Sequence, residues 1–298
     1  MNKITIGYFA DGPWSHQALD RLADDPSVEI SFVVPRKGSR DQTLIRLARE
    51  HQIPCHENAL VNSPEFMELA AGYECDLFVS MSFNQIFREL LLNIPKWGSI
   101  NCHAGKLPFY RGRNILNWAL INDEKEFGIT VHHIDTGIDT GDIISQQTYP
   151  IRDSDTYRTL LERSYTYCAG LLHDTVKKIQ NGTAARTPQS EIHPVGFYCG
   201  MRGEGDEIID WNHSSRNLFN FIRAVCDPAP KATTFFKGQT VRINKAKMIP
   251  GAPAYIGIPG QLVGTTSAGL IVKTKDTTLE LMEIDSPVPL KTGDRLGS

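Results

Sequence analysis

What most constrains this chain is the alternation, through its N-terminal half and beyond, of short β-rich runs with amphipathic helical stretches. Ile4–Phe9, Val28–Val34, Leu77–Phe83 and Ser99–His103 read as strands. Between them Trp14–Leu22, Asp41–His51, Pro64–Ala71 and Phe87–Leu92 read as helices, the second with Leu44, Leu47 and Ala48 on one stripe. This pattern predicts an α/β fold, a Rossmann-like and mostly parallel sheet with helices on both faces. Asn114–Ile121 continues as a helix and Ile129–Ile134 and Ile143–Tyr149 as strands. Asp155–Gln180 reads as one long helix, capped by Asp153 or Ser154 and closed by Asn181 and Gly182.

Periodicity is lost after Gly182, where Pro, Gly, Ser and Thr dominate, and a new unit begins at Asp206. We expect a first domain over 1–182, a linker over 183–205 and a second domain over 206–298, a division that 298 residues accommodate. Past one helix at Ser214–Val225, short β-rich runs (Thr233–Phe236, Thr240–Ala246, Gly260–Val263, Leu270–Lys273, Thr278–Ile284) alternate with Gly and Pro. That spacing predicts a small β-barrel, like an OB fold, or a sandwich.

The formal net charge of -3 gives no bulk attraction for nucleic acid or an anionic membrane surface. No segment approaches the ~20 apolar residues of a membrane span, and the N-terminal apolar run is broken by Asp11. The six cysteines are scattered without a C-x-x-C pair, as expected of reduced thiols in the cytoplasm, so neither a disulfide nor a metal site is expected.

Chemistry concentrates in two segments. In Gly98–Gly112, Asn101 and His103 stand two residues apart on a strand, so their side chains leave the same face at its carboxyl end. In Ile134–Ile144, Asp135, Asp139 and Asp142 share a loop with Gly137 and Gly141 that can fold tightly and aim one carboxylate inward; an Asp bonded to a histidine fixes its tautomer and supports its charged form. Alone, the Asn-His pair is an ordinary strand edge and the loop an ordinary turn. Their joint occurrence, separated by one helix and one strand, supports acyl transfer. His132 and His133 point to opposite faces of one strand and read as packing or surface residues.

Asn101-x-His103, its continuation through Leu107, Pro108, Tyr110, Arg111 and Gly112, and the Gly137–Asp142 loop resemble the signature of the formyltransferase family that uses 10-formyltetrahydrofolate. The resemblance extends to Asp206–Trp211 and Phe221–Ala224, similar to the entry of the family's C-terminal domain. It implies a triad of Asn101, His103 and Asp139, with 10-formyltetrahydrofolate as co-substrate and no metal. Asn101 and protonated His103 would stabilise the oxyanion, and Asp139 would hold His103 charged and help accept protons from the attacking amine. The pterin would be held largely by backbone groups of Phe83, Asn84, Gln85, Ile86 and Phe87 and of the loop bearing Ile138, Thr140, Gly141 and Asp142. One departure is Gly105-Lys106-Leu107, where the common family form has Ser-Leu-Leu; Lys106 is either solvated or directed at a substrate phosphate or ring hydroxyl.

For the acceptor, the resemblance offers three classes. The transfer-RNA enzymes resemble one another in a long basic insertion after the second strand, whereas Val34–Asp41 runs straight into a helix here; the purine-pathway class leaves the C-terminal unit unexplained. The expected substrate is therefore a dTDP- or UDP-linked amino-deoxysugar for surface polysaccharide synthesis. Lys106, Arg111 and Arg113 would meet its pyrophosphate, with Trp14 and Ser15 beside sugar or base; Trp14 reads equally as an anchor of the first helix. Methionyl-tRNA formylation is the alternative, and a non-catalytic nucleotide-sugar sensor a second. A cytoplasmic homodimer, binding neither nucleic acid nor membrane, completes the expectation.

Overall fold

The computed structural model describes residues 3–38 and 41–297. The segment Val34–Asp41 includes Ser39 and Arg40, which lie outside the described residues. Two compact units form, neither contiguous: Met1–Gly112, Phe127–Tyr149 and Glu162–Cys199 make the first, and Arg113–Glu126, Pro150–Leu161 and Gly200–Ser298 the second.

In chain order the elements up to the linker region are β1 (Ile4–Ala10), α1 (Pro13–Ala23), β2 (Val28–Pro35), α2 (Gln42–Glu50), α3 (Pro64–Gly72), β3 (Leu77–Met81), α4 (Glu89–Leu92), β4 (Ser99–His103), β5 (Arg111–Gly112), α5 (Ile115–Ile121), β6 (Glu126–His133), β7 (Ile143–Pro150) and α6 (Tyr157–Gln180). The main sheet runs β2-β1-β3-β4-β6-β7. Its pairs β1/β2, β1/β3 and β3/β4 are parallel, and β6 turns against β4. Strand alternation places helices on both faces. Phe9 enters an aromatic cluster with Phe32, Phe66 of α3, Phe78 and Phe87, whereas the hydroxyl of the preceding Tyr8 donates to the Ser15 carbonyl of α1 (3.1 Å). The expected α/β sheet is present.

The stretch 183–205 holds two short elements, α7 (Gln189–Ile192) and β8 (Tyr198–Cys199), the latter paired with β5 as a two-stranded parallel ribbon. The cap of α6 corrects the reading of Asp153 or Ser154. Thr156 Oγ1 accepts from Thr159 N (3.4 Å) while Thr159 Oγ1 accepts from Thr156 N (2.9 Å), a reciprocal cap that satisfies two donors at once.

The second unit is built on α8 (Ser215–Val225), β9 (Ala232–Phe236), β10 (Gln239–Met248), β11 (Leu262–Thr265), β12 (Leu270–Lys273) and β13 (Thr278–Asp285). The antiparallel sheet has the order β11-β12-β13-β10-β9. Leu218, Phe219 and Ile222 of α8 pack onto Val241, Ile243, Leu279 and Leu281. Both edge strands are met by one segment. Leu262 N donates to Asp294 O (2.8 Å) on the β11 side, while Phe235 and Gly297 exchange backbone bonds (2.8 and 2.9 Å) on the β9 side. Residues 293–297 thereby close the sheet on itself, giving the expected barrel-like form and leaving neither edge unpaired.

Candidate active site

Asn101 and His103 lie on β4 with the shared facing that their spacing predicts. Because β6 is antiparallel to β4, Asn101 is registered with His132, which brings that imidazole onto the same face. The third group arrives from the loop joining β6 to β7. There Asp135 Oδ1 accepts from Gly137 N (3.0 Å) and Thr140 Oγ1 (2.6 Å), and His133 N donates to Asp142 O (2.9 Å). A Cβ on Gly141 would stand 1.9 Å from His133 O, so only glycine permits this closure. Asp139 sits at its turn with φ 54°, a left-handed conformation that Asp tolerates better than most residues.

Around Asp139 the polar groups converge. Oδ2 accepts from Gly112 N (2.8 Å) and faces His103 Nδ1 at 3.7 Å; Oδ1 faces His132 Nε2 at 3.5 Å and Asn101 Nδ2 at 3.5 Å. Burial by itself would raise the Asp139 carboxyl, but the facing His103 and the Gly112 N–H outweigh it and hold the group well below the usual carboxylate range. His103 Nε2 donates to the Tyr110 carbonyl (2.7 Å), which turns Nδ1 toward Asp139. His132 Nδ1 donates to its neighbour's carbonyl (2.7 Å), so Nε2 accepts from Asn101 Nδ2 (3.3 Å) and orients the carboxamide. The separations of 3.5–3.7 Å around the carboxylate exceed a full hydrogen bond, so amide, imidazole and carboxylate surround a common point without saturating one another.

Models of two families match the chain: "Formyl transferase" over residues 3–174 and "Formyl transferase, C-terminal domain" over residues 203–288. The chain belongs to the formyl transferase family. Among sequence relatives, the methionyl-tRNA formyltransferase of Citrifermentans bemidjiense is 31% identical over 266 residues (87% of this chain, 81% of the relative). That of Staphylococcus epidermidis is 35% identical over 240 residues (80% and 76%). Among solved structures, the sugar 3N-formyl transferase WlaRD aligns with a TM-score of 0.67 at 21% identity (97% of this chain, 100% of that chain). The N-formyltransferase from Helicobacter canadensis aligns with a TM-score of 0.68 at 24% identity (95% and 99%). At such identities the two structures share the fold with this chain and carry no further argument.

The relatives overturn the expected nucleotide-sugar acceptor: the sequence similarity that spans most of this formyl transferase is to methionyl-tRNA formyltransferases. Net charge misleads here because phosphate recognition depends on local placement of cations, which a whole-chain sum averages away.

Other residues singled out in the sequence are placed as follows. Ser15 is fully buried, its hydroxyl donating to Gly12 O (2.8 Å), and so is removed from the substrate-facing set. Trp14 packs edge-on against Tyr165 (5.0 Å), fastening α1 to α6. The backbone and Cβ of Lys106 lie against Gly128 of β6. Arg111 is held by Gln189 Oε1 (Nη2 at 2.6 Å) and lies over the Tyr198 ring, while Arg113, in the second unit, is exposed with Nη1 3.4 Å from Met201 Sδ. Gln85 fastens the loop at Ala59 (2.9 Å) and Val61 (3.2 Å), Phe83 and Phe87 belong to the aromatic cluster, and Asn84 and Ile86 are exposed. Ile138 is 52% exposed. Thr140 and Gly141 close the loop as described above, and Asp142 pairs with Arg186 (2.7 Å).

Three contributors were missed. His132, read as packing, borders the site. Gln189, buried in the aperiodic stretch, donates from Nε2 to Asp139 O (2.8 Å) and Gly141 O (2.9 Å) while accepting from Arg111, and Tyr198 adds a bond from its hydroxyl to Ile138 O (3.0 Å). Among the described residues, no group of three or more His, Cys, Asp or Glu is placed to hold a metal, and no helix is long and apolar enough to cross a membrane.

Proposed function

We propose that this formyl transferase moves a formyl group to the amino group of methionine carried on transfer RNA, acting in the cytosol. The observation that carries the acceptor is the 31–35% identity to methionyl-tRNA formyltransferases over most of the chain. The donor is 10-formyltetrahydrofolate, which supplies a formyl carbon activated by its bond to a poorly basic nitrogen. Exposed Ile86 and Ile138, with the backbone around them, offer apolar and hydrogen-bonding surface for a flat heteroaromatic ring.

Asn101, His103 and Asp139 are assigned the chemistry. The methionine amine attacks the formyl carbon as the neutral base, so a new C–N bond forms and the carbonyl oxygen gains charge. The intermediate then collapses with cleavage of the bond from the formyl carbon to the folate nitrogen, which takes up the proton given up by the amine, and tetrahydrofolate leaves. Asn101 Nδ2 donates to that oxygen, oriented by His132. The Nδ1 proton of charged His103 is not locked by Asp139 at 3.7 Å and is free to be shared with the same oxygen. Losing one such donor typically costs about 3–4 kcal/mol of barrier. Because its carboxyl is held low, Asp139 stays anionic and is a weak base, so its contribution is charge: it favours the imidazolium and the nitrogen that becomes positive as it attacks.

The test is turnover of the purified chain with 10-formyltetrahydrofolate and methionyl-tRNA, followed by tetrahydrofolate release and by formylmethionine recovered after ester hydrolysis. Formylation of methionyl-tRNA, and none of uncharged transfer RNA, is expected. Absence of product with methionyl-tRNA while another amine is formylated would refute the acceptor.

A further inference from the structure

Four neighbouring strands end in one row. Ala10 of β1 is registered with Pro35 of β2 and with Met81 of β3, and Met81 with Cys102 of β4. The following residues, Arg36, Asp11, Ser82 and His103, therefore line the carboxyl edge of the sheet. With about 4.8 Å between strands, Asp11 stands about 10 Å from His103. The chain leaves β1 for β2 on one side and β3 returns on the other, so Asp11 and Ser82 flank the switch point at which open α/β sheets receive ligands.

Asp11 is chemically incomplete at this point. Its side chain is 14% exposed and its Oδ1 is buried without a hydrogen-bond partner among the described residues. Arg36 Nε stands 3.9 Å from Oδ2, beyond hydrogen-bond reach, and the guanidinium donates to the backbone oxygen and hydroxyl of Ser82. The nearby carboxylate of Asp41 is filled by contrast, accepting from Gly12 N (2.6 Å) and Leu44 N (3.1 Å) and holding His16 Nε2 at 2.8 Å. A carboxylate this buried, with its facing guanidinium beyond hydrogen-bond reach, is costly unless a ligand supplies a donor. Its charge repels a phosphate and favours a hydroxyl, and acidic side chains at this edge of α/β sheets hold ribose hydroxyls.

We propose that Asp11 is a binding residue for the acceptor, taking a hydrogen bond from the free hydroxyl of the terminal ribose that carries the esterified amino acid. The amino acid then extends along the row, and its amine reaches Asn101 and His103. This inference rests on the transfer-RNA acceptor argued above.

The test is a double-mutant cycle between protein and substrate. KM is measured for methionyl-tRNA ending in adenosine or in 2′-deoxyadenosine, with the native chain, Asp11→Ala and Asp11→Asn. Removing the hydroxyl, or the carboxylate, is expected to raise KM about ten- to a hundredfold, as for one hydrogen bond to a charged group. Removing both is expected to add nothing further. Asp11→Asn, which keeps an acceptor oxygen and the side chain's shape, falls between, and KM for the folate is unchanged throughout. Additive effects, or an unaltered KM in Asp11→Ala, would overturn the ribose contact while leaving the acceptor standing. A native chain that does not formylate methionyl-tRNA would overturn the acceptor, and the contact with it.

Discussion

Gln189→Leu tests how Asp139 is held. The substitution keeps volume and apolar stem but removes the two bonds from Nε2 to Asp139 O and Gly141 O and the acceptor for Arg111. An unpartnered buried carbonyl costs roughly 1–3 kcal/mol, so the two together cost roughly 2–6 kcal/mol if nothing moves. That is a large share of the typical stability of about 5–15 kcal/mol. The loop has a cheaper route, because 135–138 are exposed and its carbonyls can turn toward water, carrying Asp139 with them. A displacement of about 1 Å at a reacting group lowers turnover about a hundredfold. We therefore expect kcat to fall about a hundredfold with substrate KM values nearly constant and a melting temperature only a few degrees lower. Turnover is followed by tetrahydrofolate release and folding by circular dichroism. Gln189→Glu, which restores the acceptor for Arg111 but not the two donors, should fail to recover activity. Native kcat in Gln189→Leu would refute the pin.

Asp139→Asn should retain the fold, since the amide oxygen can still accept from Gly112 N, yet lose about 10²- to 10³-fold in turnover as its charge is removed; near-native turnover would remove the carboxylate from the chemistry. The Asp276 carboxyl is opposed by burial but lowered to about 2 by donors from Ser215 N, Thr277 N and the Thr274 hydroxyl. A depressed folded value means that its stabilisation is complete above the ordinary 3.8 and is lost as pH falls toward about 2. Thermal melts of the native chain and Asp276→Asn should thus converge over that window, and a pH-independent difference would contradict the assignment. Deleting 293–298 should expose the β11 edge and the Phe235 end of β9 and produce aggregation detectable by light scattering; a monodisperse truncated chain would show that the closure is dispensable.

Much of the fold was legible because local periodicity and burial agree: the β1–β3 runs are mostly apolar and the helices between them carry one apolar stripe. Asn101 and His103 were legible because strand alternation alone aligns them. His132 was not, since its facing toward Asn101 follows from the antiparallel register of β6 on β4, across an intervening helix. Gln189 left no signal, because its significance lies in partners from the loop at Asp139–Gly141 and from Arg111, all distant in sequence. Ser15 misled for the opposite reason: a hydroxyl at a helix start reads as accessible, and only the packed sheet reveals its burial. The acceptor was misjudged from total charge, a quantity blind to where cations stand, and from the short segment that follows β2.

The closing segment of the second unit also sets an order of events during synthesis. A chain emerging N-terminus first can assemble β1–β4 early, as domains generally do. The barrel-like sheet cannot complete its hydrogen-bonded circuit until 293–297 have been made. Until then β11 and the Phe235 end of β9, beyond the stretch that Glu207–Ile209 already pair, are open templates for a neighbouring nascent chain, so this is the interval in which this protein most depends on chaperones.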